Sequence, residues 1–286
     1  MRTHFDCFPC FLKQTSRTGK ILGMDDHAVW DLMKRAGIIL SEMKEAHSPP
    51  RNAVAIYDMI SERAGTGDPF REIKRQSTLH ALSLYDELKK KVLAHPDPLE
   101  AAVKYAACGN VIDYGVSSSF DIMAEIQNVL DNEFHVWDHG TFLSRLKDAS
   151  MVLYLGDNCG ETVFDRLLIE TMKKPVTYVV RDGPIINDVT MDDALEAGLD
   201  KVATLMSSGC RAPGLVLEQA SGEFRHVFET APLVISKGQG NFETLCDEPK
   251  EIFFLFKIKC RVVAEYLHAP MGSLYWGPAR PGSSGY

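Results

Sequence analysis

The sequence contains no apolar run that approaches the roughly 20 residues a membrane-spanning helix requires, so no transmembrane segment is expected. The first ten residues, M-R-T-H-F-D-C-F-P-C, lack the apolar core of a secretory signal peptide. Seven cysteines are scattered over 286 residues, an odd number that does not favour a disulfide framework. Together these absences predict a protein of the reducing cytoplasm.

A basic excess is also missing, because 31 Lys and Arg residues stand against 39 Asp and Glu residues, for a net charge of −8. Proteins that bind nucleic acid need clustered positive charge, so this balance argues against nucleic acid as the main partner. An acidic protein can still bind a small phosphorylated metabolite where a metal ion supplies positive charge. A homo-oligomer is compatible with these numbers.

The first half of the chain has the spacing of successive helices. The predicted helices cover 26–46, 52–64, 70–93 and 98–108. A further helix, capped by Ser118 or Ser119, is predicted to run to Leu130. No part of this half alternates with the period of two that is typical of a strand.

The pattern changes near Phe134, where short apolar runs begin to alternate with helical stretches. Such alternation predicts βαβ units and an α/β fold with a largely parallel sheet. The predicted strands cover 152–155, 176–180, 202–205, 233–236 and 252–256, and the helices between them cover 162–172, 191–197, 213–220 and 242–246. The predicted divisions are a helical N-terminal region over 1–132, an α/β catalytic core over 133–276 and a loose C-terminal tail over 277–286.

Three of the predicted strands end in polar loops that contain glycine. The loops are G-D-N-C-G-E from Gly156, R-D-G-P-I-I-N-D-V-T from Arg181 and S-K-G-Q-G-N-F-E from Ser236. Because the carboxyl ends of parallel strands share one rim of a sheet, their side chains can converge. Each loop alone is also compatible with a helix cap or a glycine turn, so the combination is what favours a site.

The first two loops carry hard oxygen ligands. Asp157 and Asn158 follow one buried strand, and Asp188 lies in the loop after the next. Carboxylate and amide oxygens held in this way suit Mg²⁺ or Mn²⁺ better than zinc. A divalent ion in such a site polarises a phosphoryl group and activates water, so the residues predict a metal-dependent hydrolase.

The third loop supplies groups that can bind phosphate. Lys237 and the backbone N–H groups of Gly238 and Gly240 are predicted to stabilise charge on the phosphoryl oxygens. The sequence does not identify the general base, and three carboxylates remain candidates for it: Asp157, Asp182 and Asp113.

In their order these loops resemble the signature loops of the metal-dependent damage-control phosphatases, formerly catalogued as domain of unknown function 89. Gly109-Asn110-Val111-Ile112-Asp113 is similar to the upstream G-N-x-I-D element of that family. Cys7-Phe8-Pro9-Cys10 resembles the cysteine pair of its compact prokaryotic branch. The resemblance covers nearly the whole chain. It implies a helical region on a Rossmann-like α/β core, and hydrolysis of phosphate monoesters such as sugar phosphates or damaged phosphometabolites.

The resemblance also implies roles for particular residues. Asp157, Asn158 and Asp188 are expected to ligate the metal, for which Mg²⁺, Mn²⁺, Co²⁺ or Ni²⁺ are candidates, and Lys237 is expected to face the substrate phosphate. The predicted substrate-binding residues are Asn110, Asp113, Glu161, Arg181, Asp182, Gly238, Gly240 and Asn241. One departure is Cys159, where many members of the family have alanine.

The cysteine pair has three open interpretations. Cys7 and Cys10 can form a second metal site with distant ligands, form a redox pair, or simply pack. No strand precedes the pair, as a redox role normally requires, and no second C-x-x-C completes a zinc site. The surrounding aromatic residues favour an apolar plug docked on the domain; they are Phe5, Phe8 and Phe11.

Two other functions fit parts of the pattern. A methyltransferase would bind S-adenosylmethionine on the glycine loop after the first strand of the core, but such loops usually carry several closely spaced glycines. A non-enzymatic nucleotide-binding module gives no account of Asp157 and Asp188. Turnover of p-nitrophenyl phosphate with and without added metal separates the three functions.

Overall fold

The computed structural model describes residues 1–109, 126–127, 130 and 134–279, and every structural statement below refers to that part of the chain. The predicted helix from Ser118 or Ser119 to Leu130 lies mostly outside the described residues. The candidate site residues Asn110 and Asp113 also lie outside them, so their predicted contact with substrate stays a prediction.

Five helices are described before the sheet. They are α1 Cys7–Ile21, α2 Asp26–Glu42, α3 Pro49–Ala64, α4 Arg71–Ala94 and α5 Pro98–Cys108. The bounds of α5 are as predicted, whereas α1 was not predicted. The helix α2 stops at Glu42, four residues early, because Met43 has extended backbone. The helix α3 begins at Pro49, three residues before the predicted start, since the first helical position has no need of the N–H that proline lacks.

In the described part of the chain, seven strands form one sheet in the order β1-β7-β6-β5-β2-β3-β4. The strands are β1 Phe134–Trp137, β2 Val152–Leu155, β3 Val176–Val180, β4 Thr204–Ser207, β5 Val234–Lys237, β6 Phe253–Lys257 and β7 Leu274–Pro278. Strands β2 to β6 are mutually parallel, while β7 is antiparallel to β6 and parallel to β1. The predicted Rossmann-like α/β fold with a largely parallel sheet is confirmed.

The sequence analysis predicted the five strands that contain short apolar runs. Strands β2 and β3 have the predicted bounds, β5 and β6 are shifted by one residue, and β4 by two. Strands β1 and β7 were missed. Gly277 and Pro278 belong to β7 rather than to the predicted loose tail, because the backbone there pairs with β6.

The second half contains six described helices of four residues or more. They are α6 His139–Asp148, α7 Thr162–Met172, α8 Met191–Glu196, α9 Gly222–Thr230, α10 Gln239–Leu245 and α11 Arg261–Tyr266. The helix predicted over 213–220 is wrong, since that segment holds only a 3₁₀ turn at Leu217–Gln219. A Cβ on Gly214 would stand 2.5 Å from the carbonyl oxygen of Gly240, so the segment is a loop packed tightly on α10.

The N-terminal helices pack in two groups. Helices α1, α2 and α3 share a cluster of buried residues that includes Leu32 and Ile56, and Ile185 from the loop after β3 joins it. Helices α4 and α5 bury their apolar residues, such as Leu88, in the same cluster as Val152 of β2. Apolar residues from both sides of residue 132 therefore share one buried cluster, and the predicted division into a helical region and a core stays a prediction. No helix in the described ranges is both long enough and apolar enough to span a membrane.

Candidate active site

The topology places the first and third polar loops side by side. Strands β2 and β5 are neighbours, and the chain continues from β2 to β3 on one side and from β5 to β6 on the other. Open α/β sheets have a crevice at such a reversal, beyond the carboxyl ends of the strands. Asp157 follows β2 and Gly238 follows β5, so both lie at this crevice.

A cleft of about 660 Å³ opens at this edge of the sheet. Tyr57 of α3 and one face of α1 form its helical wall, and the polar loops form the facing wall. The candidate residues that line the cleft are Asp157, Asn158, Asp188, Gly240, Cys7 and Cys10. The described candidates outside its lining are Glu161, Arg181, Asp182, Lys237, Gly238 and Asn241.

Backbone hydrogen bonds join the first and second polar loops into one unit. Asn158 and Asp188 form an isolated antiparallel bridge. The Val189 N–H donates to the Asp157 carbonyl oxygen at 2.8 Å, and the Cys159 N–H donates to the Asn187 carbonyl oxygen at 2.9 Å. The predicted metal ligands are therefore held next to one another by main-chain bonds.

Arg181 lies behind the two aspartates and is itself buried. Its Nε is 2.7 Å from Asp188 Oδ2, and its Nη2 is 3.7 Å from Asp157 Oδ1. Burial raises the pKa of Asp157 well above its usual range, and the charges of Glu161 and Asp188 raise it further. Burial also raises the pKa of Asp188 to about 6, although Arg181 opposes the shift. The carboxylates are short of positive charge, which favours the binding of a cation.

The chemistry of this donor set fits a hard divalent cation. The cleft wall presents two carboxylates and the carboxamide of Asn158, whose Nδ2 donates to Glu161 Oε1 at 2.8 Å and to Asp157 Oδ2 at 3.2 Å. Those bonds leave the Asn158 Oδ1 as the atom suited to a cation. Within the described ranges, no three His, Cys, Asp or Glu side chains are arranged to enclose a metal ion. The candidate set therefore consists of two carboxylates and the carboxamide of Asn158, and all three side chains line the cleft.

Lys237 lies beneath the rim rather than on it. Its buried ammonium donates to Asp165 Oδ1 at 2.6 Å and to the Ala106 carbonyl oxygen at 2.8 Å, and it lies 3.0 Å from Glu161 Oε2. Burial alone lowers the pKa of this ammonium, but the two carboxylates outweigh it and raise the pKa. This position differs from the predicted one, in which Lys237 faces the substrate phosphate.

Asp165 is the buried partner of Lys237, and the sequence analysis missed it. Its buried carboxylate accepts hydrogen bonds from Tyr154 Oη at 2.7 Å and Tyr178 Oη at 2.8 Å, in addition to the one from Lys237. The available signal was an acidic residue on the buried face of α7, four positions after Glu161. A buried carboxylate of this kind requires a partner, and here the partner is Lys237.

Two further candidates have structural contacts away from the cleft. Asn241 is fully buried, and its amide bonds to the Leu215 N–H and to the carbonyl oxygens of Gly156 and Lys237. It joins three loops, which differs from the predicted contact with substrate. Asp182 is exposed and accepts a hydrogen bond from Ser207 Oγ at 2.7 Å. Of the carboxylates considered as general base, Asp157 is the described one that lines the cleft.

The cysteine pair lies on the helical wall of the cleft. Cys7 is the first residue of α1, Cys10 lies one turn later, and both are free thiols. Burial raises the pKa of Cys7 to about 11, which does not favour a redox nucleophile. Phe11 is buried, but Phe5 and Phe8 are exposed, so only part of the expected apolar plug is packed. The metal-binding and redox interpretations stay predictions.

Comparison with protein families gives one match over nearly the whole chain. The family described as the damage-control phosphatase ARMT1-like domain matches residues 3–275. The chain is 35% identical over 285 residues to a damage-control phosphatase of Pyrococcus horikoshii, with 96% of this chain and 97% of that protein covered. It is 32% identical over 278 residues to a damage-control phosphatase of Archaeoglobus fulgidus, with 94% and 96% covered.

The fold has a solved relative. The crystal structure of a protein of the former domain of unknown function 89 family from Pyrococcus horikoshii superposes with a TM-score of 0.90 and 34% sequence identity. The superposition covers 98% of this chain and 100% of that chain. The sheet order and the arrangement of helices described above are therefore those of a known family.

Proposed function

The chain belongs to the ARMT1-like damage-control phosphatase family, and from that premise we propose that it is a divalent-metal-dependent phosphatase acting on phosphate monoesters of small metabolites. The observation that carries the proposal is the meeting of Asp157, Asn158 and Asp188 on one cleft at the switch point of the sheet. The cleft volume of about 660 Å³ suits a small metabolite, since ligand pockets span about 300–1,000 Å³. The methyltransferase alternative finds no support in this family membership.

The metal ligands are proposed to be Asp157, Asn158 and Asp188. When bound, a divalent ion supplies positive charge that polarises the phosphoryl group and activates water. Arg181 orients the ligands, because its guanidinium contacts both aspartates from the side away from the cleft. Glu161 orients the third, because its carboxylate accepts the hydrogen bond from the Asn158 amide. Each contact reduces the freedom of a ligand before substrate arrives.

One of the proposed metal ligands can also accept the proton of the attacking water. Asp157 lines the cleft beside the other proposed ligands, so its carboxylate lies where it can accept a proton from an attacking water. We assign it the role of general base among the three carboxylates considered. Asp182 contacts Ser207 outside the cleft and does not fit that role.

The proposal is tested by removing the metal and by changing one ligand. Protein stripped with EDTA should release no phosphate from p-nitrophenyl phosphate or from a panel of sugar phosphates, and Mg²⁺, Mn²⁺, Co²⁺ or Ni²⁺ should restore release. Asp188→Asn should lower kcat/KM by about 100-fold or more, because it removes one charge from the metal site. Asp200→Asn, at an exposed position, is the matched control and should be fully active. Full activity in metal-free protein would contradict the proposal.

A further inference from the structure

The cleft has two walls that differ in chemistry. The proposed metal ligands lie on the wall formed by the polar loops, and the opposite wall is formed by one face of α1 and by Tyr57 of α3. A ligand in a cleft of this kind is enclosed over most of its surface, so it contacts both walls. With the phosphoryl group at the proposed metal ligands, the remainder of the substrate lies against the helical wall. The side chains of that wall therefore select among phosphate monoesters.

One stripe of side chains on α1 faces the cleft. Four residues at spacings of four, three and four line the cleft from a single face of the helix: Cys10, Gln14, Arg17 and Ile21. Another side of α1 is packed against α2, where a Cβ on Gly19 would stand 3.1 Å from the side chain of Leu32. Because α1 is packed so closely there, the direction in which the stripe points is fixed.

Gln14 is held in one orientation by Tyr57. The Tyr57 hydroxyl donates to Gln14 Oε1 at 2.7 Å, so the amide oxygen is occupied and the amide nitrogen is left for a ligand. That nitrogen lies 3.3 Å from Cys10 Sγ, a weak acceptor that uses one of its two N–H groups. Tyr57 is buried in the same cluster as Ile185, whose carbonyl oxygen accepts from the Asp188 N–H at 3.1 Å. This packing joins Gln14 to the loop that carries a proposed metal ligand.

Arg17 brings a positive charge to the stripe, one turn after Gln14. Its side chain is exposed, and its guanidinium forms no hydrogen bond or ion pair with any residue that the structure describes. Residues three apart on a helix are neighbours on its surface, so the guanidinium and the Gln14 amide can reach one ligand. Asp6 also lines the cleft, but the rise of the helix separates positions 6 and 17 by about 16 Å, and the Asp6 carboxylate lies 3.6 Å from His4 Nδ1.

Arg17 and Gln14 together offer hydrogen-bond donors and no acceptor. A guanidinium has N–H donors alone, and the Gln14 oxygen is occupied by Tyr57. A sugar hydroxyl carries a proton to donate as well as lone pairs, whereas an ionised carboxylate or phosphate only accepts. The planar guanidinium also matches two oxygens of such a group. The pair is therefore better suited to an anion than to a hydroxyl.

Resting on the phosphatase function proposed above, we propose that Arg17 and Gln14 form a subsite for a second anionic group of the substrate. The substrate class is then a small phosphate monoester that carries a further negative group, either a carboxylate or a second phosphate. The phosphoryl group that is hydrolysed lies at the metal ligands, and the second anion lies at the stripe on α1. Tyr57 acts as a positioning residue, because it orients Gln14.

The test compares pairs of substrates that differ in one anionic group. In the first pair, 3-phosphoglycerate carries a carboxylate where glycerol 3-phosphate carries a hydroxymethyl group. In the second pair, glucose 1,6-bisphosphate carries one phosphate more than glucose 6-phosphate. In at least one pair, the wild type should have about a tenfold or greater kcat/KM for the member with the additional anion. A preference within one pair alone identifies which anion the subsite takes.

The variants change the charge or the orientation of the subsite. They are Arg17→Met, Arg17→Lys, Tyr57→Phe and the matched control Arg35→Met, at an exposed arginine of α2 that does not line the cleft. The ratio of the two kcat/KM values within the preferred pair should fall about tenfold in Arg17→Met and recover in part in Arg17→Lys. Tyr57→Phe should lower the ratio by a smaller factor, because it frees the Gln14 oxygen, and Arg35→Met should keep the wild-type ratio.

Two results would overturn the subsite. Equal kcat/KM values within both pairs in the wild type would show that no second anion is bound, and an unchanged ratio in Arg17→Met would show that the anion binds elsewhere. Failure of the phosphatase function is a separate outcome, since the wild type would then release phosphate from none of the four esters. In that case the Kd values of the same pairs, measured by calorimetry in EDTA-treated protein, decide the matter. A preference that Arg17→Met loses supports the subsite, and equal Kd values within both pairs contradict it.

Discussion

Gly238 lies directly against the carboxylate of Asp157, so that a Cβ at position 238 would stand 2.0 Å from Asp157 Oδ2 and 2.2 Å from its carboxyl carbon. The φ angle of Gly238 is +81°, a region that residues with a side chain rarely enter. The two residues come from the loops after β5 and β2, the neighbouring strands at the switch point. The missing side chain at 238 therefore sets where the Asp157 carboxylate can lie.

Gly238→Ala is expected to displace Asp157 and to impair both metal binding and turnover. A misplacement of about 1 Å can lower activity by about 100-fold, and we expect a loss of kcat/KM of at least that size. Mn²⁺ affinity, measured by calorimetry, should fall as well. Gly37→Ala is the matched control, because no atom lies within 4 Å of a Cβ there; helix propensity predicts a gain of up to about 1 kcal/mol in the free energy of unfolding. Normal Mn²⁺ affinity in Gly238→Ala would contradict this account.

Lys237→Met is expected to destabilise the protein and to weaken metal binding. The substitution leaves the buried carboxylates of Glu161 and Asp165 without their cation, a change that typically costs about 3–5 kcal/mol. Glu161 also accepts the hydrogen bond from Asn158, so its displacement should loosen a metal ligand. Urea unfolding and Mn²⁺ calorimetry measure the two effects, and Lys90→Met, at an exposed position on α4, serves as the control.

A different pattern for Lys237→Met would restore the role expected from the sequence. If stability and Mn²⁺ affinity were unchanged and only the KM for the phosphate ester rose, Lys237 would contact substrate directly.

The pH dependence of stability should carry a contribution from Glu243. Burial raises its pKa to about 7 from the usual 4.5, although the hydrogen bond from Gln239 opposes the shift. Between those pH values the folded protein keeps a proton that the unfolded chain has lost. The contribution of Glu243 to stability is therefore fully present below pH 4.5 and is lost as the pH rises to about 7.

Glu243→Gln removes this titration. From about pH 5 to pH 8, the variant should gain up to about 3 kcal/mol in the free energy of unfolding relative to the wild type. Urea unfolding at several pH values measures the difference. Glu223→Gln, at an exposed position on α9, should show no such trend. A constant difference between Glu243→Gln and the wild type across this range would contradict the raised pKa.

Local sequence patterns were sufficient for much of the secondary structure. The bounds of β2, β3, α5 and α7 follow from short apolar runs, helical spacing and the Asp97-Pro98 start of α5, all of which act over a few residues. The local patterns did not predict strands whose formation depends on pairing with residues far away in the sequence. Strand β1 is only partly buried, and β7 exists because its backbone pairs with β6 and β1.

The sequence by itself determined the α/β fold, its family and the oxygen-rich loops that line the cleft. Only the tertiary structure decided which cationic side chain pairs with which buried carboxylate. Lys237 ends strand β5 and precedes a glycine, a pattern that is equally compatible with an exposed lysine at the rim of the sheet and with a buried one. Its partner Asp165 lies 72 residues earlier, and the pairing depends on how α7 packs against the sheet. Electrostatic partners are chosen by distance in space, which local patterns of sequence do not encode.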